Sequence, residues 1–126
     1  MNQMKKEIEN WWRQAEEDLR VAEDNLNAHP YVAAFFSQQA AEKALKALLF
    51  KKEGQVIKIH DLVILGRKCG LSQDLLKGCD ELTHVYTETR YADIGERAPF
   101  KEFDKVGTET LLKIAKEILR WVEKSI

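Results

Sequence analysis

From Tyr31 to Glu53 the chain runs without a glycine or a proline, and it is built largely from Ala, Leu, Lys, Glu and Gln. These residues are strong helix formers. Opened by Pro30 and closed by Gly54, the segment predicts one uninterrupted helix of roughly 35 Å. The same scarcity of breakers holds throughout, with 6 glycines and 2 prolines in 126 residues. A β-sandwich or barrel needs many more turns, so a few long helices are expected. The length suits one compact domain, expected over residues 1–126.

The flanking segments carry helical stripes. Ile8, Trp12, Ala15, Leu19, Ala22 and Leu26 recur at steps of four and three, with Glu9, Arg13, Glu16, Glu17 and Arg20 between them. This first helix is expected to fade between Asn25 and Ala28, ahead of His29-Pro30. Gln55 to Ile59 alternates weakly and has no strand to pair with, so it reads as a loop tucking Val56, Ile57 or Ile59 onto the bundle. A short helix follows, carrying Leu62, Val63 and Leu65 and stopped by Gly70. Ser72 caps the next helix, whose stripe is Leu75, Cys79, Leu82 and Tyr86. Tyr91 to Pro99 reads as irregular. A last helix from about Phe103 to Glu123 carries Gly107, Leu111, Ile114, Ile118, Trp121 and Ser125, with Leu112, Ala115 and Val122 alongside. The expected fold is all-α: an antiparallel up-and-down bundle of four long helices plus one short helix.

Charge narrows the function classes. Lys plus Arg is 20 against 21 Asp plus Glu, a net charge of −1, so any basic surface must be a local patch. Two cysteines exclude a disulfide-dense scaffold and match no metal-ligand spacing; no metal or cofactor is expected. Cys69 and Cys79 read as small apolar fillers. The opening MNQMKKEIENWW lacks the apolar run of a signal peptide, and no stretch is long and apolar enough for a membrane span. A cytoplasmic protein with reduced thiols and no membrane partner is expected. Phosphate loops, HExxH and nucleophile elbows are absent from the sequence.

Three clusters look like more than packing. Gln39, Glu42, Lys43 and Lys46 fall at i, i+3, i+4 and i+7, on one helical face beside a stripe of alanines. Taken alone, such a stripe is most simply a solvated face with Glu–Lys pairs; beside a core it can instead wall a groove. His60-Asp61-Leu62 opens the short helix, where Asp61 suits a cap and His60 suits phosphate contact or proton transfer. Tyr86 and Arg90 stand one turn apart, followed by Tyr91 and Asp93. A guanidinium among aromatics can bind phosphate or stack on a base. His84 precedes Arg90 by six positions, off its face. Trp11, Trp12 and Trp121 read as core or interface anchors.

In their order these motifs resemble the HEPN domain family. The carrying residues are Asp18-Leu19 with Ala22, the block Gln38-Gln39-Ala40-Ala41-Glu42-Lys43-Ala44-Leu45-Lys46-Ala47-Leu48-Leu49, His60-Asp61-Leu62, Tyr86, and Arg90-Tyr91-x-Asp93. The resemblance implies an antiparallel helical bundle, often a homodimer, frequently partnered by a minimal nucleotidyltransferase in toxin–antitoxin-like pairs. Many HEPN domains are metal-independent RNases whose signature is Arg, four to six residues, then His. No arginine here has a histidine at that spacing, and Ala92 stands where the family commonly has proline.

The expected function is therefore nucleotide or RNA binding, or partner binding, without the family's RNase signature. Lys43, Lys46, His60 and Arg90 would wall the groove and supply phosphate contacts. Tyr86 or Tyr91 would stack on a base, and Glu42 and Asp93 would orient the cations, with Gln39 and Asp61 beside them. One alternative is an RNase using His60 or His84 as general acid/base with Arg90 steadying the phosphorane. Another is a purely structural docking module anchored by Trp11 or Trp121.

Overall fold

A computed structural model describes residues 2–90 and 98–126. Six helical segments follow one another: α1 (Asn2–Asn25), α2 (Pro30–Glu53), α3 (Leu62–Cys69), α4 (Gln73–Arg90), the single turn α5 (Pro99–Glu102) and α6 (Lys105–Ser125). All regular structure among the described residues is helical, and none of these helices is long and apolar enough to cross a membrane.

The long helices run up, down, up and down. Lys51 near the end of α2 reaches the carbonyl of Ile126 at the end of α6 (2.6 Å), so those two helices descend together. Lys116 of α6 lies 3.7 Å from Glu23, near the top of α1. The helix α3 doubles back against α4, with the Leu62 amide donating to Thr83 Oγ1 at one end and Gly66 packed on Leu71, Leu76 and Cys79 at the other. Lys52 ties the α2 terminus to the Cys69 carbonyl (3.1 Å).

At the centre is α2, which contacts every other helix. Its alanines 33, 34, 40, 41, 44 and 47 have no exposed surface, and neither do Leu45 and Leu49. Small residues let the neighbouring helices approach from several sides, and the leucines fill the gaps left between them. Each fully buried leucine stabilises the fold by roughly 2 kcal/mol. Leu62, Leu65, Leu82, Ala115, Ile118 and Val122 close the core from α3, α4 and α6.

Punctuation falls where the chemistry requires it. Gly54 and Gly70 both adopt positive φ, 76° and 84°, and end α2 and α3 in the left-handed conformation. Asp61 caps α3 by accepting from Val63 N and Ile64 N. The Gln55–Ile59 stretch is a loop; Ile57 and Ile59 pack on the core while Val56 points outward. Two boundaries differ from expectation. The last helix starts at Lys105 because Asp104 accepts from Gly107 N and caps it, leaving Phe103 in the joint. Pro99, pre-set for a first helical position, starts the extra turn α5. On α6 the buried residues are Thr108, Leu112, Ala115, Ile118, Leu119 and Val122, so the buried face keeps Ile118 of the expected stripe and otherwise centres on the positions alongside it. Leu111, Ile114 and Trp121 flank it, half-buried.

Gly78 marks the closest approach of α4 and α6, since a Cβ there would lie 2.7 Å from Ile114 Cγ2. Gly78→Ala gains helix propensity but must displace Ile114. A net loss of about 1 kcal/mol is expected in urea unfolding, against the gain that an open helical glycine would give. Burial pushes the thiol of Cys69 up to about 11, with Lys52 opposing, and that of Cys79 up to about 12. The folded thiols therefore hold their protons while unfolded thiols ionise from about pH 9. This contribution is complete below about pH 9 and is lost as pH rises through about 11 to 12. The pH dependence of stability above about pH 9 is expected to flatten in a Cys69→Ala/Cys79→Ala variant.

Candidate functional site

One face of α2 carries a chain of polar contacts that begins inside the protein. Gln38 is fully buried, and its Nε2 donates to Glu42 Oε1 at 2.9 Å; its own Oε1 accepts from Gln39 Nε2 at 2.6 Å. Glu42 Oε2 receives two groups: Lys46 Nζ at 3.0 Å and His60 Nδ1 at 2.8 Å. The relative exposure of Glu42 is 6% and that of Lys46 5%, so this is a buried ion pair rather than a surface one. A buried charge is tolerated only when paired and hydrogen-bonded, and Glu42 has a donor on each carboxylate oxygen. The simple picture of a solvated Glu–Lys face fails here because α1 packs across these residues.

Aromatic rings bracket this pair. Trp11 of α1 lies over Lys46, with Nζ 5.9 Å from its ring centroid, within range of a cation–π attraction. On the other side His60 stacks on Tyr86 of α4, with centroids 4.7 Å apart and planes 14° from parallel. The His60 side chain is about half exposed (52%), so it carries the buried network out to solvent. With Nδ1 donating to the Glu42 carboxylate, Nε2 remains to accept a hydrogen bond or a proton.

A second ion pair lies one turn back on α2. Lys43 Nζ pairs with Asp18 Oδ2, and Gln14 Nε2 donates to Asp18 Oδ1 at 3.0 Å. Asp18 is 3% exposed. Both α2 lysines are thus committed to carboxylates, so a phosphate would have to compete for either. Beside Lys43, a shallow cleft of about 400 Å³ is lined by Glu7, Asn10, Trp11, Gln14 and Lys43.

The structure brings together Gln39, Glu42, Lys46, His60 and Tyr86, and sets Lys43 beside them on its own partner. Asp61 is occupied in capping α3. His84 is exposed, 3.9 Å from Asp80, two residues from Tyr86 and so on another side of α4. Arg90 is the last residue of α4, one turn beyond Tyr86, and its side chain lies outside the described residues. Tyr91 and Asp93 lie outside the described residues altogether. The described residues hold no group of three metal-ligating side chains.

Sequence patterning missed three participants as site residues: Gln38, Asp18 and Trp11. Gln38 and Asp18 carried a signal, since each is a polar residue adjoining an apolar helical stripe. The role of Trp11 depends on which way Lys46 points, which periodicity cannot give.

Comparison with known proteins settles the family. The HEPN domain model matches residues 8–125. The chain belongs to the HEPN domain family. Two solved structures share the fold over nearly the whole chain. TT1696 from Thermus thermophilus is 30% identical, with a TM-score of 0.87 over 94% of this chain and 98% of its own. ST0689, described as an archaeal HEPN homologue, is 32% identical, with a TM-score of 0.76 over 93% of this chain and 95% of its own. No curated protein matches the sequence significantly.

In this HEPN domain the Glu42 carboxylate holds both the lysine and the imidazole. Glu42→Ala is expected to cost about 3 kcal/mol in urea unfolding, because Lys46 is left buried without a counter-charge. Replacing both charges, Glu42→Leu with Lys46→Leu, is expected to recover part of that loss, short of the roughly 1–3 kcal/mol cost of leaving the buried Gln38 Nε2 without its acceptor. A double variant as unstable as the single one would show that packing, rather than charge pairing, dominates.

Proposed function

We propose that this HEPN domain is a nucleotide- or RNA-binding module, and that a base docks against the His60–Tyr86 stack. The observation that carries the reading is that stack: two near-parallel rings, one held by a buried carboxylate and half open to solvent. A rigid ring surface accepts a nucleobase at small entropic cost. Arg90, one turn along α4 from Tyr86, is the proposed phosphate-binding cation, with Tyr91 and Asp93 following it. Lys43 and Lys46 act through position: their charges are matched by Asp18 and Glu42, so they fix the floor of the site. Pairing with a minimal nucleotidyltransferase, in a toxin–antitoxin-like system inside the cytoplasm, is supported by family membership alone.

A second reading is favoured by one contact. Glu42 fixes the His60 ring through Nδ1 and leaves Nε2 for proton transfer, the arrangement a general acid/base needs. An RNase of this kind would act without the family's Arg–His spacing and would rely on Arg90 for charge stabilisation.

Calorimetry with a short single-stranded RNA and with a mononucleotide tests the binding reading. Each stacked base is worth about 1–3 kcal/mol, so His60→Ala and Tyr86→Ala are each expected to weaken binding by about tenfold or more. His84→Ala is expected to leave it unchanged. Equal affinity in wild type and in a His60→Ala/Tyr86→Ala variant sinks the assignment. RNA degradation that is lost in His60→Ala and slowed in Glu42→Gln would select the catalytic reading instead.

A further inference from the structure

The indole of Trp11 has two surroundings. It covers Lys46, with Nζ 5.9 Å from the ring centroid, and it also lines the cleft of about 400 Å³ between α1 and α2. Glu7, Asn10, Trp11 and Gln14 share one face of α1, and Lys43 meets them from α2. Lys43 Nζ is held by the buried Asp18, which leaves its aliphatic stem to the cleft. Gln14 Nε2 donates to the same carboxylate, so the end of its amide left over is the acceptor, Oε1. Glu7 adds a carboxylate, which only accepts, and the exposed Asn10 adds an amide that both donates and accepts. The cleft is thus an aromatic wall with a rim made mainly of acceptors.

We propose that this cleft is a second base-binding subsite, and that the ligand of this domain is single-stranded RNA spanning both ring surfaces rather than a lone nucleotide. The inference rests on the His60–Tyr86 reading and extends it. The two ring surfaces flank one buried ion pair: contacts of 5.9, 3.0 and 2.8 Å run from the indole through Lys46 and Glu42 to His60 Nδ1. At roughly 3.4 Å per stacked nucleotide, a strand of about four nucleotides bridges that distance. Only an unpaired strand can splay its bases onto separate rings. Stacking on an indole accepts any base, but the rim does not. Cytosine, adenine and guanine carry an exocyclic amino group that donates to the acceptors of Glu7, Gln14 and Asn10. Uracil carries none, and sets a carbonyl oxygen against those acceptors instead. Glu7 also repels phosphate, so a base enters with its backbone turned toward solvent. The subsite therefore selects bases that bear an amino group.

Calorimetry with four-nucleotide chains of cytidine, adenosine or uridine, and with cytidine monophosphate, tests it. The cytidine and adenosine chains are expected to bind about tenfold more tightly than the uridine chain, and the cytidine chain about tenfold more tightly than the monophosphate. Trp11→Leu, which keeps an apolar cover over Lys46, is expected to remove that length advantage. Glu7→Ala/Asn10→Ala is expected to bring the cytidine and adenosine chains to within about threefold of the uridine chain. It decides the matter should Trp11→Leu fail to fold by circular dichroism. A cytidine chain that binds no better than its monophosphate, a folded Trp11→Leu variant that keeps the length advantage, or a uridine chain that binds as tightly as the cytidine chain would each overturn the proposal. So would an arginine-rich peptide that binds wild type but not Glu7→Ala/Asn10→Ala while no RNA shows a length advantage, since the cleft would then hold a guanidinium. The two sites fail separately. Monophosphate binding that is lost in His60→Ala/Tyr86→Ala, with no length advantage in wild type, keeps the ring stack and removes the cleft. Chain binding that survives His60→Ala/Tyr86→Ala but is lost in Trp11→Leu keeps the cleft and removes the stack.

Discussion

Everything distinctive about this bundle depends on one buried carboxylate. Glu42 sits on the most enclosed helix of the protein and accepts from Gln38, Lys46 and His60. Remove it and an ammonium is stranded among apolar side chains. Keep it, and three elements are tied to one point: α2 through Gln38 and Lys46, the loop before α3 through His60, and α1 through the indole that covers Lys46. A buried ion pair of this kind often adds little net stability over apolar side chains of the same volume. What the ion pair adds is direction, because hydrogen bonds accept only one arrangement of neighbours while leucines accept several.

That direction is what makes a site. A histidine at the start of a short helix is ordinarily free to rotate. Here Nδ1 is held by Glu42 and the ring face is held by Tyr86, so His60 presents a fixed edge to solvent. The Asp18–Lys43 pair repeats the device one turn away and fixes α1 against α2 in register, since a one-residue slip would strand Asp18. The two pairs match the charges of the α2 lysines with neighbouring carboxylates.

Much of the fold was legible because helices announce themselves locally. Breakers at Pro30, Gly54 and Gly70 and the stripes of α1 and α4 are properties of adjacent residues, and they placed the elements well. On α6 the buried face took in Ile118 of the expected stripe and the residues alongside it, while the equally apolar Leu111, Ile114 and Trp121 stayed half-buried; packing against the other helices, not local pattern, decides between them. Of the site, the α2 face was legible as a set of residues but not as an environment. Gln39, Glu42, Lys43 and Lys46 have the pattern of a solvated stripe. Whether that stripe meets water or α1 depends on packing between segments far apart in sequence. Asp18 and Gln38 adjoin apolar stripes, but the Lys43 partner of Asp18 lies on another helix, and the burial that makes the Gln38–Glu42 bond part of the site depends on packing rather than on local pattern.

The near-equality of 20 basic and 21 acidic side chains acquires an internal structure from this arrangement. Charges in the interior are matched locally, Lys43 to Asp18 and Lys46 to Glu42, and are unavailable to any partner. Exposed pairs such as Arg13–Glu9 and Arg20–Glu17 close within α1 and contribute little either to stability or to recognition. The interior pairs hold the site in place, so the near-zero total conceals buried charge that orders the fold rather than meeting solvent.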